Sequence, residues 1–160
     1  MTPNDAINAA LALTPEDALY ALRARRPSFV DGAEACRASV LTPEEDLGLS
    51  SDLRHAVAHR GAAFAQNAAV LAGYPAPADP ALRDLASGAM PDDPSLAALA
   101  RHTDMIVSTP AKASREHLQD LLSAGFTVPQ IIALSELLAQ VCYEIRIVHG
   151  LSLLKETADV

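Results

Sequence analysis

Apolar residues in this chain recur at intervals of three and four, the spacing that lays them along one face of a helix. The clearest seam runs through Ile131, Leu134, Leu138, Val141, Ile145 and Val148. A second runs through Leu53, Val57, Gly61, Phe64, Ala68 and Leu71. Period-two alternation and β-branched runs, the marks of strands, are hard to find. The pattern predicts an all-α, multi-helix bundle. Residues 1–160 read as a single helical domain, with N-terminal helices over 1–73, a Pro-rich connection over 74–93 and C-terminal helices over 94–154.

Caps and stops cut these seams into elements. A short helix is expected over 5–11. Thr14-Pro15-Glu16-Asp17 supplies a cap, a proline at the first helical position and acids in the first turn, opening a helix that ends before Pro27. A third helix is expected over 31–41, closed by Thr42-Pro43. Ser50 then caps a long helix over 51–72, stopped by Gly73 and Pro75. Gly61 inside it costs roughly 1 kcal/mol, and its expected use is to let another backbone come close. The connection that follows is proline-rich, with one short helix over 80–87, and is expected to act as a mobile lid or an oligomer contact. Further helices are expected over 94–107 and over 115–124, the latter capped by Ser114 and ended by Gly125. Thr127-Val128-Pro129-Gln130 is a capping box opening a final long helix to His149, with Gly150 as its stop and a fraying tail after Leu154.

Composition narrows the function classes. A chain of 160 residues can bury roughly 70% of its unfolded surface, so its core needs no disulfide or metal. Half of its residues are hydrophobic but only 4% are aromatic, which predicts a core of Leu, Ile, Val and Ala on closely approaching helices. The 12 basic and 20 acidic residues give a net charge of −8. Such a surface repels nucleic acid, and the short basic run Arg23, Arg25 and Arg26 reads as a helix C-terminus set against its own dipole. No apolar run approaches the roughly 18 residues needed to span a membrane. Met1-Thr2-Pro3-Asn4-Asp5 lacks the basic start of a signal peptide, and two cysteines do not make a disulfide framework. A cytoplasmic, reducing setting is the expectation. Abundant alanine, and basic residues that are arginines except for Lys112 and Lys155, go with a GC-rich bacterial genome.

Few residues carry candidate chemistry. Cys142 falls in the apolar stripe near Leu138 and Ile145, where a buried thiol is unreactive. Cys36 sits beside Arg37 and is read first as structural; its pairing with Cys142 stays open. His55 and His59, one turn apart, form the only metal-like spacing, but the metalloprotease pattern needs Glu where Ala56 stands. No metal and no cofactor are therefore expected. With Gln66, these histidines lie opposite the apolar seam, on a face meant for solvent or a subunit. His102, His117 and His149 sit near polar helix ends and are expected at the surface. Glu136, Gln140 and Tyr143 line the polar face of the last helix. Glu136 would be a plausible general base if buried and is a solvated carboxylate if exposed, which is the expectation. No Gly-rich turn follows a strand, so phosphate-loop and dinucleotide chemistry have no support.

Other stretches carry a resemblance. They are Leu96-Ala97-Ala98-Leu99-Ala100-Arg101-His102-Thr103-Asp104, Ser108-Thr109-Pro110, Ser114-Arg115-Glu116-His117-Leu118 and Ala124-Gly125-Phe126. Ile131-Ile132-Ala133-Leu134-Ser135-Glu136-Leu137 and Arg146-Ile147-Val148-His149-Gly150-Leu151 continue it. Together they resemble the carboxymuconolactone decarboxylase superfamily, in its alkyl hydroperoxidase D-like, peroxidase-related branch. Residues 18–27 and the helix within 49–74 resemble that group too. The resemblance implies an all-helical bundle that assembles into dimers, trimers or hexamers. It also implies, for peroxidase members, a C-x-x-C dithiol on a central helix with a nearby His and an upstream Glu. The corresponding helix, 51–72, holds no cysteine, and Leu53 or His55 stands where the acid belongs. A dithiol peroxidase needs a thiolate and a resolving thiol close together. Three functions follow in order: a non-redox member that binds a small apolar or carboxylated ligand between helices or acts through its oligomer; an acid-base, decarboxylase-like or lactone-type enzyme using His55, His59 or Glu136; and a weak antioxidant working through Cys36.

Overall fold

The computed structural model describes residues 5–158, and all regular structure among them is helical. The Asp5 carboxylate accepts from the amides of Ile7 and Asn8 and opens α1 (Ala6–Ala10). Thr14 gives both its amide and its hydroxyl to the Asp17 carboxylate. That acid is thus spent on a turn, and α2 (Ala18–Ala24) begins after it rather than at Pro15. Pro27 was expected only to mark a boundary, yet it is the first residue of α3 (Pro27–Leu41), where a fixed φ and a missing amide cost nothing.

Ser50 caps α4 (Ser51–Ala63) as expected, but the long helix over 51–72 is broken in two. Gln66 takes a left-handed φ of 49°, and the Asn67 side chain accepts from the amides of Ala69 and Val70 to start α5 (Ala68–Ala72). The buried seam accordingly stops at Gly61, and both Phe64 and Ala68 are exposed. Asp79 opens a 3-10 turn, Pro80–Leu82, which leads into α6 (Arg83–Ser87). Asp93 caps α7 (Pro94–Ser108), and Ser114 with His117 forms the capping box of α8 (Arg115–Ser123). Gly125 supplies the left-handed turn after α8, at a φ of 97°. Thr127 and Gln130 exchange the bonds of their own box and start α9 (Val128–Ala158). Gly150 does not stop this helix, and the tail expected to fray is helical through Ala158. Val148 before Gly150 is buried and Leu151 after it packs against the core, and the helix runs on through the glycine. Met1–Asn4, the basis of the leader reading, lie outside the described residues, as do Asp159 and Val160.

The centre of the bundle is the contact of α4 with α9, where Val57, Ala58 and Ala62 meet Leu134, Leu137, Leu138 and Val141, all fully buried. Each buried Leu or Val contributes roughly 1.5–3 kcal/mol relative to exposure. A Cβ on Gly61 would meet side chains of Val141, Leu138 and Val107 at 3.4–3.5 Å. Its neighbours are thus side chains at ordinary contact distance, not the close backbone expected. A smaller cluster of Ala98, Leu121 and Ile131 ties α7, α8 and α9 together.

The Pro-rich connection is no free lid. Tyr74, Leu82, Leu85 and Ala86 are all core residues. Arg60, almost wholly buried on α4, donates to the carbonyls of Leu85 and Ala89 and forms a two-pronged pair with Asp104 of α7, both bonds at 2.7 Å.

Candidate functional site

The four residues expected to carry chemistry are not brought together. His55 lies on the first turn of α4 with its Nδ1 2.8 Å from the Ser51 carbonyl oxygen. His59, one turn on, has its Nδ1 2.6 Å from the Tyr74 carbonyl oxygen and is half-buried beneath the Pro-rich connection. The face assigned to solvent or a subunit is therefore partly covered by the chain itself, and Gln66 sits beyond α4 in the turn. Among the described residues no three His, Cys, Asp or Glu side chains converge as metal ligands. Glu136 is exposed on α9, the solvated carboxylate expected of it, and Cys36 is exposed on α3. Cys142 is buried, and burial pushes its thiol pKa up, partly offset by Arg146.

Sequence reasoning missed Glu144. The polar face of α9 is split: Glu136 and Tyr143 point outward, whereas Gln140 and Glu144, one turn apart, are buried. Glu144 Oε2 accepts from Arg37 Nη1 and from the Tyr74 hydroxyl, each at 2.6 Å, and Oε1 accepts from Gln140 Nε2 at 3.0 Å. Arg37 also donates to the Gly73 carbonyl and lies 4.2 Å from the centre of the Tyr74 ring. Burial, with the Glu144 charge behind it, drives the Tyr74 pKa well above its ordinary value, so the phenol stays protonated. Both carboxylate oxygens are engaged and the cluster has no open position. It pins α3, the end of α5 and α9 to one another.

A different histidine is left with its bonding capacity unused. His102 was expected at the surface, but its place on α7 beside Leu99 and Thr103 turns it inward, and it is only 4% exposed. Neither ring nitrogen has a hydrogen-bond partner. An unpaired buried polar group costs about 1–3 kcal/mol, and such groups are rare enough in folded proteins to call for a cause. Burial first, and the nearby His117 second, lower the His102 pKa, so the imidazole is neutral at neutral pH. The ring forms part of the wall of a groove of about 490 Å³ between α7, α8 and α9. Met105, Ile106 and Leu118 make the groove apolar, and Arg115 and His117 stand at its rim.

No family model, no curated protein and no solved structure matches this chain. The volume of the groove lies in the range of small-molecule sites, which pair mostly apolar walls with a few polar groups. The neutral imidazole carries one donor and one acceptor, both shielded from solvent, and Arg115 has no carboxylate partner among the described residues. His117 has its Nδ1 engaged by the Ser114 amide at 3.1 Å, while His149 is exposed as expected. No single helix among the described residues is long and apolar enough to cross a membrane.

Proposed function

We propose that this chain is a non-redox member of the carboxymuconolactone decarboxylase superfamily, in its alkyl hydroperoxidase D-like branch, and that it binds a small ligand between helices at the His102 groove. The observation that carries the ligand site is the buried imidazole with two unpartnered nitrogens in the wall of an apolar groove. The helical bundle and the quoted motifs support the family. The lack of any cysteine on α4 and α5, and the burial of Cys142, support a function without thiol chemistry. We read the protein as cytoplasmic, bacterial and assembled from several copies.

The second reading, an acid-base enzyme, moves from His55, His59 and Glu136 to His102. A neutral, water-shielded imidazole is in the form a general base requires.

The test runs alkyl hydroperoxide and a dithiol donor over native and iodoacetamide-blocked protein, beside a thermal-shift screen of small apolar acids, esters and lactones on wild type and His102→Phe. No thiol-dependent turnover, together with ligands that stabilise wild type and not the variant, is the expected outcome. Iodoacetamide-sensitive turnover would overturn the non-redox reading. Equal stabilisation of wild type and variant would overturn the site.

A further inference from the structure

A second groove, on another face, has a different chemistry. The turns of α9 from Tyr143 to Thr157 leave an apolar channel beside α2 and the start of α3, formed by two adjoining hollows of about 380 and 400 Å³ that share Leu19 and Leu22. At roughly 1.5 Å per residue that stretch of helix is about 21 Å long. The channel is open to solvent, and its walls are large hydrophobic side chains left exposed: Leu22 at 54%, Phe29 at 64% and Leu154 at 54%. Single exposed apolar residues are ordinary, but a contiguous set marks a binding surface.

Charge selects the occupant. The protein is acidic overall, at −8, yet one end of the channel is lined by Arg23, Arg25 and Arg26. Arg23 is committed to Asp5 and Asn8 inside the bundle. Arg25 and Arg26 form no ion pair among the described residues, and Arg26 lies over the Phe29 ring at 5.7 Å, holding its guanidinium at the mouth. The other end carries Asp17 and Lys155, whose opposite charges offset each other, so the net positive charge lies at the arginine end. The polarity is thus cationic head, apolar body. The run stands at the C-terminus of α2, as expected, and there it also crowns the apolar channel.

We propose that this channel binds a long-chain carboxylate, with the carboxylate at Arg25 and Arg26 and the acyl chain lying along Leu19, Leu22, Leu151 and Leu154. The site is separate from the His102 groove, and neither depends on the other. Burial of the chain supplies affinity at up to about fourfold per methylene, and each exposed arginine adds up to about fivefold, screened by salt.

The test is displacement of a fluorescent long-chain fatty acid by hexadecanoate, by hexadecanol and by hexadecyltrimethylammonium. It uses wild type, Arg25→Gln/Arg26→Gln, Leu22→Glu and His102→Phe, with circular dichroism confirming that each variant keeps its helices. The carboxylate should compete at least tenfold better than the ammonium. The double arginine variant should lose about tenfold for the carboxylate only, Leu22→Glu should lose binding, and His102→Phe should bind as wild type. Equal competition by the three amphiphiles, or no loss in the arginine variant, overturns the proposal. Sedimentation showing a dimer that hexadecanoate does not dissociate and that Leu22→Glu does would also overturn it, by assigning the channel to a second copy of the chain. Loss of fatty acid binding in a folded His102→Phe protein would overturn the separateness of the two sites.

Discussion

Replacing Arg37 with Ala should be the most damaging polar substitution on the α3 side of the bundle. The guanidinium makes a 2.6 Å bond to Glu144, a bond to the Gly73 carbonyl and a face contact with Tyr74. Its side chain is 14% exposed and that of Glu144 only 7%, so screening by water is weak. The variant keeps the Glu144 carboxylate buried with only Tyr74 and Gln140 to solvate it, and breaking such a pair from one side costs about 3–5 kcal/mol. Taking about 3 kcal/mol, because a little water reaches Arg37, the midpoint of thermal unfolding should fall by roughly 6–12 °C for a chain of this size. The decisive control is Arg37→Met with Glu144→Leu, which removes both charges and fills the space. It should be more stable than Arg37→Ala, since most of the loss comes from the stranded carboxylate. Urea unfolding followed by circular dichroism measures both, with unchanged slopes confirming that the native fold is shared. A loss below about 0.5 kcal/mol in Arg37→Ala, or a double variant less stable than the single one, would refute the reasoning.

Three further outcomes are expected. The lowered His102 pKa means that the unfolded chain binds a proton more readily than the folded one, so the histidine's contribution is fully present above about pH 6.5 and is lost as pH falls toward its folded value. Stability against pH should therefore fall on acidification with a slope of up to about 1.4 kcal/mol per pH unit from this group, absent in His102→Phe; identical profiles would sink the idea. Gly150→Ala places a methyl in open space on an exposed face of α9 and should stabilise by about 0.5–1 kcal/mol, read as a rise in urea midpoint. Iodoacetamide should label Cys36 in the folded protein and Cys142 only after unfolding, as peptide mass mapping will show, because one thiol is exposed and the other buried.

The helical class and the starts of α4, α7, α8 and α9 were legible because Ser50, Asp93, Ser114 and Thr127 are caps whose chemistry acts within one turn. The seam of α9 was legible for the same local reason. The break between α4 and α5 was hidden because apolar spacing continues through it; Asn67 before Ala68-Ala69-Val70 is a cap signal, but the period outweighed it. Gly150 misled in the other direction, since a stop needs chain geometry beyond the glycine itself. The buried polar residues were least legible. Periodicity sorts side chains into apolar and polar faces, so Gln140 and His102 fell on the outside by type alone, and Glu144 drew no reading at all. What places them inside are Arg37 and Tyr74, distant in sequence, and the packing of α8 over α7. The one signal at hand was Gln140 and Glu144 standing a turn apart.

Arg60 has a consequence for how the molecule resists attack. On paper the Pro-rich connection is the natural place for a protease to cut, yet a protease must draw out an extended run of backbone before it can act. Here two carbonyls of that run, at Leu85 and Ala89, are held by one guanidinium that Asp104 keeps oriented from behind. A lysine could not hold so many acceptors in a fixed fork. Cleavage within residues 85–89 requires α4, α6 and α7 to part first, so the lifetime of that stretch in a proteolytic setting follows the opening of the bundle rather than the motion of a loop.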